Sequence, residues 1–261
     1  DVNGDTYMDH IYSNSSQLLY RLNPGNATNF GSELVLTSNL REPYNCDYDD
    51  DGKEDIFGIR ITPSLPSFGF IKNLGSGSFS TFNSILTLSN VRFAVGDVGQ
   101  DGVVDLLTVN SALNSQIMYY EGIPGTNPSF KAGVPWFTTN ISNTFNTEFP
   151  IPELYDIDCD GDLDLFLGLS GEIRGFTNNG GVIAPNVLPN FNTVTFITQT
   201  YNQVGNSEFI TPRYVTVDND FFTEFFIDYN NAQQLLYFDC ATSAVDETLL
   251  SVQQFKVFPN P

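Results

Sequence analysis

The sequence predicts an all-β fold, and three observations carry that expectation. An acidic nine-residue motif recurs along the chain, which is the sign of a repeat architecture. Short runs rich in β-branched and aromatic residues, bounded by Gly, Asn, Ser and Pro, separate the copies. No window of helical length carries an apolar stripe of period 3.6. The 261 residues include 23 Phe and 12 Tyr, enough apolar surface for a buried core.

The motif is Asp-x-Asp/Asn-x-Asp-(Gly)-x-x-Asp. Its copies are 1–9 (DVNGDTYMD), 47–55 (DYDDDGKED), 97–105 (DVGQDGVVD) and 156–164 (DIDCDGDLD), with a decayed fifth at 216–224 (TVDNDFFTE). The start-to-start spacings are 46, 50, 59 and 60 residues. These windows hold 20 of the chain's 31 acidic residues, so the formal charge of −21 is mostly a property of five short segments. Such a surface repels phosphate backbones and anionic lipid, which disfavours nucleic acid as a partner. No apolar run reaches transmembrane length, so membrane insertion is not expected.

Carboxylates crowded this closely repel one another unless a cation sits between them. Calcium, a hard ion taking six to eight oxygens, suits the pattern. Positions 1, 3 and 5 of a tight loop turn their oxygens inward, position 7 adds a backbone carbonyl, and the acid at position 9 closes the shell. Gly at position 6 permits the positive φ that turns the loop. The candidate ligands are Asp1, Asn3, Asp5, Tyr7 and Asp9; Asp47, Asp49, Asp51, Lys53 and Asp55; Asp97, Asp101, Val103 and Asp105; and Asp156, Asp158, Asp160, Asp162 and Asp164. Tyr7, Lys53, Val103 and Asp162 enter through their carbonyls. Three to four calcium ions are expected. An EF-hand is excluded, because it needs Glu at position 12, where Tyr12, Gly58, Thr108 and Leu167 stand.

After each loop come strand-like runs, in order 10–12, 56–61, 106–109, 165–169 and 225–227, each followed by a second run at 17–22, 69–73, 116–120, 173–176 and 234–238. Turns such as Asn23-Pro24-Gly25-Asn26 and Asn73-Leu74-Gly75-Ser76-Gly77 come next, and third and fourth runs such as 84–88 and 91–96 precede the next loop. Four short strands per repeat of about 50 residues is the pattern of a β-propeller blade.

At this point the chain resembles the FG-GAP/VCBS repeats, the calcium-binding blades of the integrin α-subunit head and of many bacterial surface proteins. Phe93-Ala94-Val95-Gly96-Asp97-Val98-Gly99-Gln100-Asp101-Gly102 is the nearest match, and the resemblance extends from Asp1 to about Cys240. It implies a propeller over 1–240, with side-chain ligands at positions 1, 3, 5 and 9 and a carbonyl ligand at position 7. Three departures matter. Gly99 gives position 3 of the third loop no side-chain oxygen. Thr6 replaces Gly at position 6 of the first loop, where Gly4 is expected to relieve the turn. Thr216 and Phe221 leave the fifth loop without its first carboxylate or its Gly. The first blade lacks its first strand. Either further blades precede Asp1, or a strand near the C-terminus completes a five-bladed ring.

Phe255-Lys256-Val257-Phe258-Pro259-Asn260-Pro261 resembles the opening of the C-terminal sorting domain of type IX secretion substrates in Bacteroidetes. It implies a linker over 241–261 leading into a truncated sorting domain, export by the type IX secretion machinery, and an extracellular or outer-surface location. The chain starts at Asp1 with no initiator Met, so loss of an N-terminal part is expected. Cys46, Cys159 and Cys240 allow at most one disulfide, and spacing does not choose it.

The expected function is that of a secreted or cell-surface binding or adhesion module with a protein or carbohydrate ligand. The alternatives are a carbohydrate-active enzyme on the same scaffold and a structural subunit of a surface assembly. Acid-catalysed glycoside cleavage needs two carboxylates facing one pocket, and no such pair stands out among the acids outside the loops. No catalytic constellation is visible, and the lone His10 reads as a strand residue beside the first loop. Trp136 reads as a packing residue before a sugar-stacking one.

Overall fold

A computed structural model describes residues 1–14, 16–25, 30–62, 65–88, 91–110, 116–138, 150–156, 160–169 and 172–178, and the strand backbone at 191–194, 211–215, 224–229, 234–238 and 253–254. The described residues are strands, turns and bends, and no helix among them is long and apolar enough to cross a membrane. They divide into two units, 1–90 with 122–131, and 91–121 with 132–261.

The first unit opens on a three-stranded antiparallel sheet of β1 (His10–Ser13), β2 (Gln17–Arg21) and β3 (Leu34–Ser38). The β1–β2 hairpin turns on Asn14, whose Oδ1 accepts the N–H groups of Ser16 (2.8 Å) and Gln17 (2.7 Å), a side chain standing in for a backbone turn. A four-stranded sheet follows, made of β4 (Leu40–Cys46), β5 (Asp55–Arg60), β6 (Ser67–Ile71) and β9 (Asn83–Thr87). The short hairpin of β7 (Asn73–Gly75) and β8 (Ser78–Phe79) sits between its last two strands, where the sequence reads only as a turn.

β5 is buried on both faces, which explains its continuous apolar run. One face joins Leu18, Leu40, Ile56 and Ile71 in a core, with Ile11, Leu36, Phe79 and Phe82 packed against it. The other carries rings: Phe57 stacks on Phe68 at 5.8 Å, and Tyr48 meets Phe70 edge-on at 5.1 Å, a favoured aromatic geometry. On the aliphatic face Gly58 pairs with Gly69 across β5 and β6. A Cβ on Gly58 would lie 2.8 Å from the Leu40 side chain, and one on Gly69 2.0 Å from the Asn83 carbonyl oxygen. Those two positions admit only glycine because the adjacent strands of the same sheet close onto them, Leu40 of β4 over Gly58 and the Asn83 backbone of β9, beside a register shift, over Gly69.

Among the described residues the second unit shows three four-stranded antiparallel sheets, each in sequential order. They are β10 (Val91–Gly96), β11 (Asp105–Asn110), β12 (Gln116–Tyr120) and β13 (Val134–Thr138); β14 (Ile151–Tyr155), β15 (Asp164–Leu169), β16 (Glu172–Asn178) and β17 (Phe191–Val194); and β18 (Thr211–Val215), β19 (Glu224–Tyr229), β20 (Gln234–Phe238) and β21 (Gln253–Gln254). Leu106, Leu107 and Val109 of β11 and Leu165, Phe166 and Leu167 of β15 are its buried centre. Trp136 of β13 is half-buried against Tyr119, their ring centroids 5.6 Å apart.

Each of the second, third and fourth acidic segments joins the first strand of a sheet to its second, from β4 to β5, β10 to β11 and β14 to β15. The first acidic segment leads into β1. Cys46 ends β4; Cys159 and Cys240 lie outside the described residues, as does the whole 241–261 segment apart from β21.

Candidate metal centre

The four acidic loops share one hydrogen-bonding frame. The position-1 carboxylate accepts the N–H groups of positions 5 and 6: Asp1 from Asp5 (3.2 Å) and Thr6 (2.6 Å), Asp47 from Asp51 (3.2 Å) and Gly52 (2.8 Å), Asp97 from Asp101 (3.1 Å) and Gly102 (2.8 Å), Asp156 from Asp160 (3.1 Å) and Gly161 (2.9 Å). The position-5 carboxylate accepts the N–H of position 7: Asp5 from Tyr7 (2.9 Å), Asp51 from Lys53 (3.0 Å), Asp101 from Val103 (3.0 Å) and Asp160 from Asp162 (2.9 Å). Asn3 joins its loop through its amide, which donates to Asp5 Oδ2 at 2.9 Å.

The backbone makes this possible by entering the left-handed region twice. Position 6 does so in all four loops (Thr6 at φ +74°, Gly52 at +79°, Gly102 at +81°, Gly161 at +93°). Position 4 does so in the first three (Gly4 at +79°, Asp50 at +55°, Gln100 at +50°). Gly4 therefore does not relieve Thr6, because each of the first three turns uses both places. A β-branched residue is costly in this region. Thr6→Gly should stabilise the chain by about 1 kcal/mol, read as a rise in the midpoint of urea unfolding with unchanged slope; an unchanged or lower midpoint would count against the strain.

Position 9 is the inner end of each loop. Asp55, Asp105 and Asp164 are buried. Position 2 sends its N–H to this carboxylate in the first three loops, from Val2 to Asp9 (2.9 Å), from Tyr48 to Asp55, and from Val98 to Asp105 (3.2 Å). A second N–H comes from an asparagine at the end of the next strand pair or just beyond it: Asn23 to Asp9, Asn73 to Asp55 and Asn178 to Asp164, each 2.7 Å. Sequence reasoning took Asn23 and Asn73 for turn residues only. The signal that could have found them is the recurrence of Asn-x-Gly at 23–25, 73–75 and 178–180.

Among the described residues, the second loop gathers three carboxylates at one point. Asp47, Asp49 and Asp55 each place a carboxylate oxygen within 4.8 Å of the others. Oxygens bound to one calcium at about 2.4 Å can stand no more than roughly 4.8 Å apart, so this donor set fits that ion. Asp55 Oδ2 is buried with no hydrogen-bond partner, an orphaned anionic oxygen of the kind a metal satisfies. Burial pushes the Asp55 carboxyl up to about 6 against the two N–H groups that pull it down. Burial and Asp47 raise Glu54, and burial raises Asp97. Asp51 goes the other way, lowered chiefly by Lys53 at 3.0 Å.

In the third loop, Gly99 brings its backbone in place of a side chain. Its N–H donates to Asp105 Oδ2 at 3.1 Å, beside that of Val98, so this ninth carboxylate is better satisfied than Asp55. The third and fourth loops are tied together. Gln100 Nε2 donates to the Gly161 carbonyl at 2.7 Å and to Asp162 Oδ1, and Asn178 Nδ2 donates to the Val98 carbonyl at 3.1 Å. The Asp162 carboxylate thus faces the neighbouring loop, which leaves its carbonyl for its own. Asp158 and residues 216–223 of the fifth segment lie outside the described residues, and of Glu224 only the backbone, the start of β19, is described.

A different cluster lies on the first sheet. His10, at the start of β1, stacks on Tyr12 at 4.8 Å and meets Phe30 at 5.8 Å. Arg21 lies 5.9 Å from the Tyr12 ring centroid and pairs with Glu33 at 3.2 Å, while the Tyr12 hydroxyl donates to Glu33. Phe30 is 47% exposed, so the cluster runs from an exposed ring through His10 to Tyr12 and its guanidinium–carboxylate pair.

No family model and no curated protein matches the chain. Among solved structures, a lectin from Agrocybe aegerita is similar in fold, with a TM-score of 0.52 at 14% identity over 88% of this chain and 62% of that one. It is described as specifically recognising non-reducing terminal N-acetylglucosamine. The chain therefore spans less than two thirds of that lectin's length, and the likeness is one of fold.

Proposed function

We propose that this chain is a glycan-binding module built as a β-propeller, exported by type IX secretion to the cell surface or beyond, with calcium bracing its acidic loops. The fold likeness to a carbohydrate-recognising lectin is the observation that carries the glycan reading. Sequential four-stranded antiparallel sheets support the blades. The shared frame of the four loops and the orphaned oxygen of Asp55 support the metal. Binding, adhesion included, is then the whole activity: the loops hold the scaffold and an exposed surface takes the sugar.

The ring-and-charge cluster of the first sheet is the surface we assign to the sugar. The apolar face of a pyranose stacks on an exposed ring, while fixed charged groups bond its hydroxyls. Arg21 and Glu33 are held by each other and by Tyr12, so they are oriented before a ligand arrives. A glycan array probed with and without calcium tests this. Binding to a defined set of glycans should be lost with chelator, and Phe30→Ala should weaken it at least roughly tenfold at an unchanged melting temperature. An array with no bound glycan would sink the carbohydrate reading.

A further inference from the structure

Two lysines bear on the second loop: its own Lys53, 3.0 Å from Asp51 Oδ2, and Lys72, which reaches in from beyond the next strand pair. The Lys72 Nζ bonds the Asp49 carboxylate and lies 3.3 Å from Asp51 Oδ2, so it bridges positions 3 and 5. Its placement is built. The Lys72 N–H donates to Ser80 Oγ at 2.8 Å, its carbonyl accepts the Ser80 N–H at 2.9 Å, and its ammonium lies 5.2 Å from the Tyr48 ring centroid. The strand register gives the place a definition: Ile56 pairs with Ile71, so Lys72 is the residue opposite position 9. By the same register, the residues opposite position 9 in the other three loops are Leu22, Glu121 and Thr177. Only the second of these four loops, the one with six acids, faces a lysine there.

We propose that Lys72 is a tethered counter-cation that competes with the divalent ion for Asp49 and Asp51. This rests on the calcium reading of the loops. An ammonium shared between two carboxylates weakens each as a calcium ligand and repels the incoming ion, while Asp47 and the orphaned Asp55 oxygen stay open to it. The second loop then binds calcium more weakly than its full set of acids implies, and keeps its outer half in shape when calcium is scarce.

Calcium titration by calorimetry on the wild-type chain, Lys72→Met and Lys72→Gln tests the proposal. Both variants should gain roughly tenfold or more in affinity at one site, and adding Asp47→Asn to either should abolish the gain. In calcium-free buffer both should melt lower than wild type. Calcium binding by all three proteins with equal affinities, or weaker binding by the variants, would overturn the role of Lys72 and leave the calcium reading standing. No calcium binding by any of the three would remove both.

Discussion

Removing calcium should lower the melting temperature by roughly ten degrees or more, by the linkage relation for a ligand that binds only the folded state. At a hundredfold excess over Kd each ion contributes about 2.7 kcal/mol, and for a chain of this length each kcal/mol moves the midpoint by roughly 2–4 °C. The pH dependence should change sign with the ion. The Asp55 carboxyl is held near 6 by burial, against about 3.9 in an unfolded chain. A carboxyl raised on folding stabilises fully below the unfolded value and loses that contribution as pH rises through the folded one. In calcium-free buffer this group should therefore make the chain more stable at pH 5 than at pH 7 by about 1 kcal/mol. With calcium bound, the same carboxylates are held ionised, and stability should fall as pH is lowered toward 5. Scanning calorimetry at the two pH values, with and without calcium, reads both effects; parallel pH profiles would count against ion binding at Asp55.

What was legible in the sequence follows from where the physics is local. An Asp at every second place of a tight turn is a local pattern, and it located the loops between strands without any knowledge of the sheets. The strands that follow the loops were visible because the described residues of β5, β11 and β15 are mostly buried and read as continuous apolar runs. The left-handed turn at position 6 was visible through Gly52, Gly102 and Gly161. The one at position 4 was hidden, because Asp50 and Gln100 occupy it and neither residue type announces it. Partners brought in by pairing were hidden as well. Asn73 lies 18 residues from Asp55, and Gln100 lies 61 from Gly161. Lys72 was invisible for the same reason: its meaning depends on the register that sets it opposite position 9. The hairpin of β7 and β8 was missed because five residues rich in Gly and Asn read as one turn.

Asp55→Asn should reverse its effect on stability according to whether calcium is present. Asp55 is fully buried, and one of its oxygens has no hydrogen-bond partner. In metal-free protein at pH 7 that carboxyl is ionised against the cost of burial, which its rise to about 6 reflects. Against the ordinary carboxyl value of about 3.9, that rise makes the buried anion costly by on the order of 3 kcal/mol at pH 7. Asparagine has the same shape. Its Oδ1 keeps the N–H of Asn73, while its Nδ2 takes the place of the orphaned oxygen and removes the buried charge. The variant should therefore be more stable than wild type without calcium, by about 2 kcal/mol. With calcium the order reverses, because the ion loses the inner anionic ligand of a three-carboxylate set and turns from a brace into a weakly held guest. Urea unfolding of both proteins at pH 7, each with and without calcium, measures the four stabilities. A variant less stable than wild type in both conditions would mean that Asp55 acts as a hydrogen-bonded strut; one more stable in both would mean that no ion depends on it.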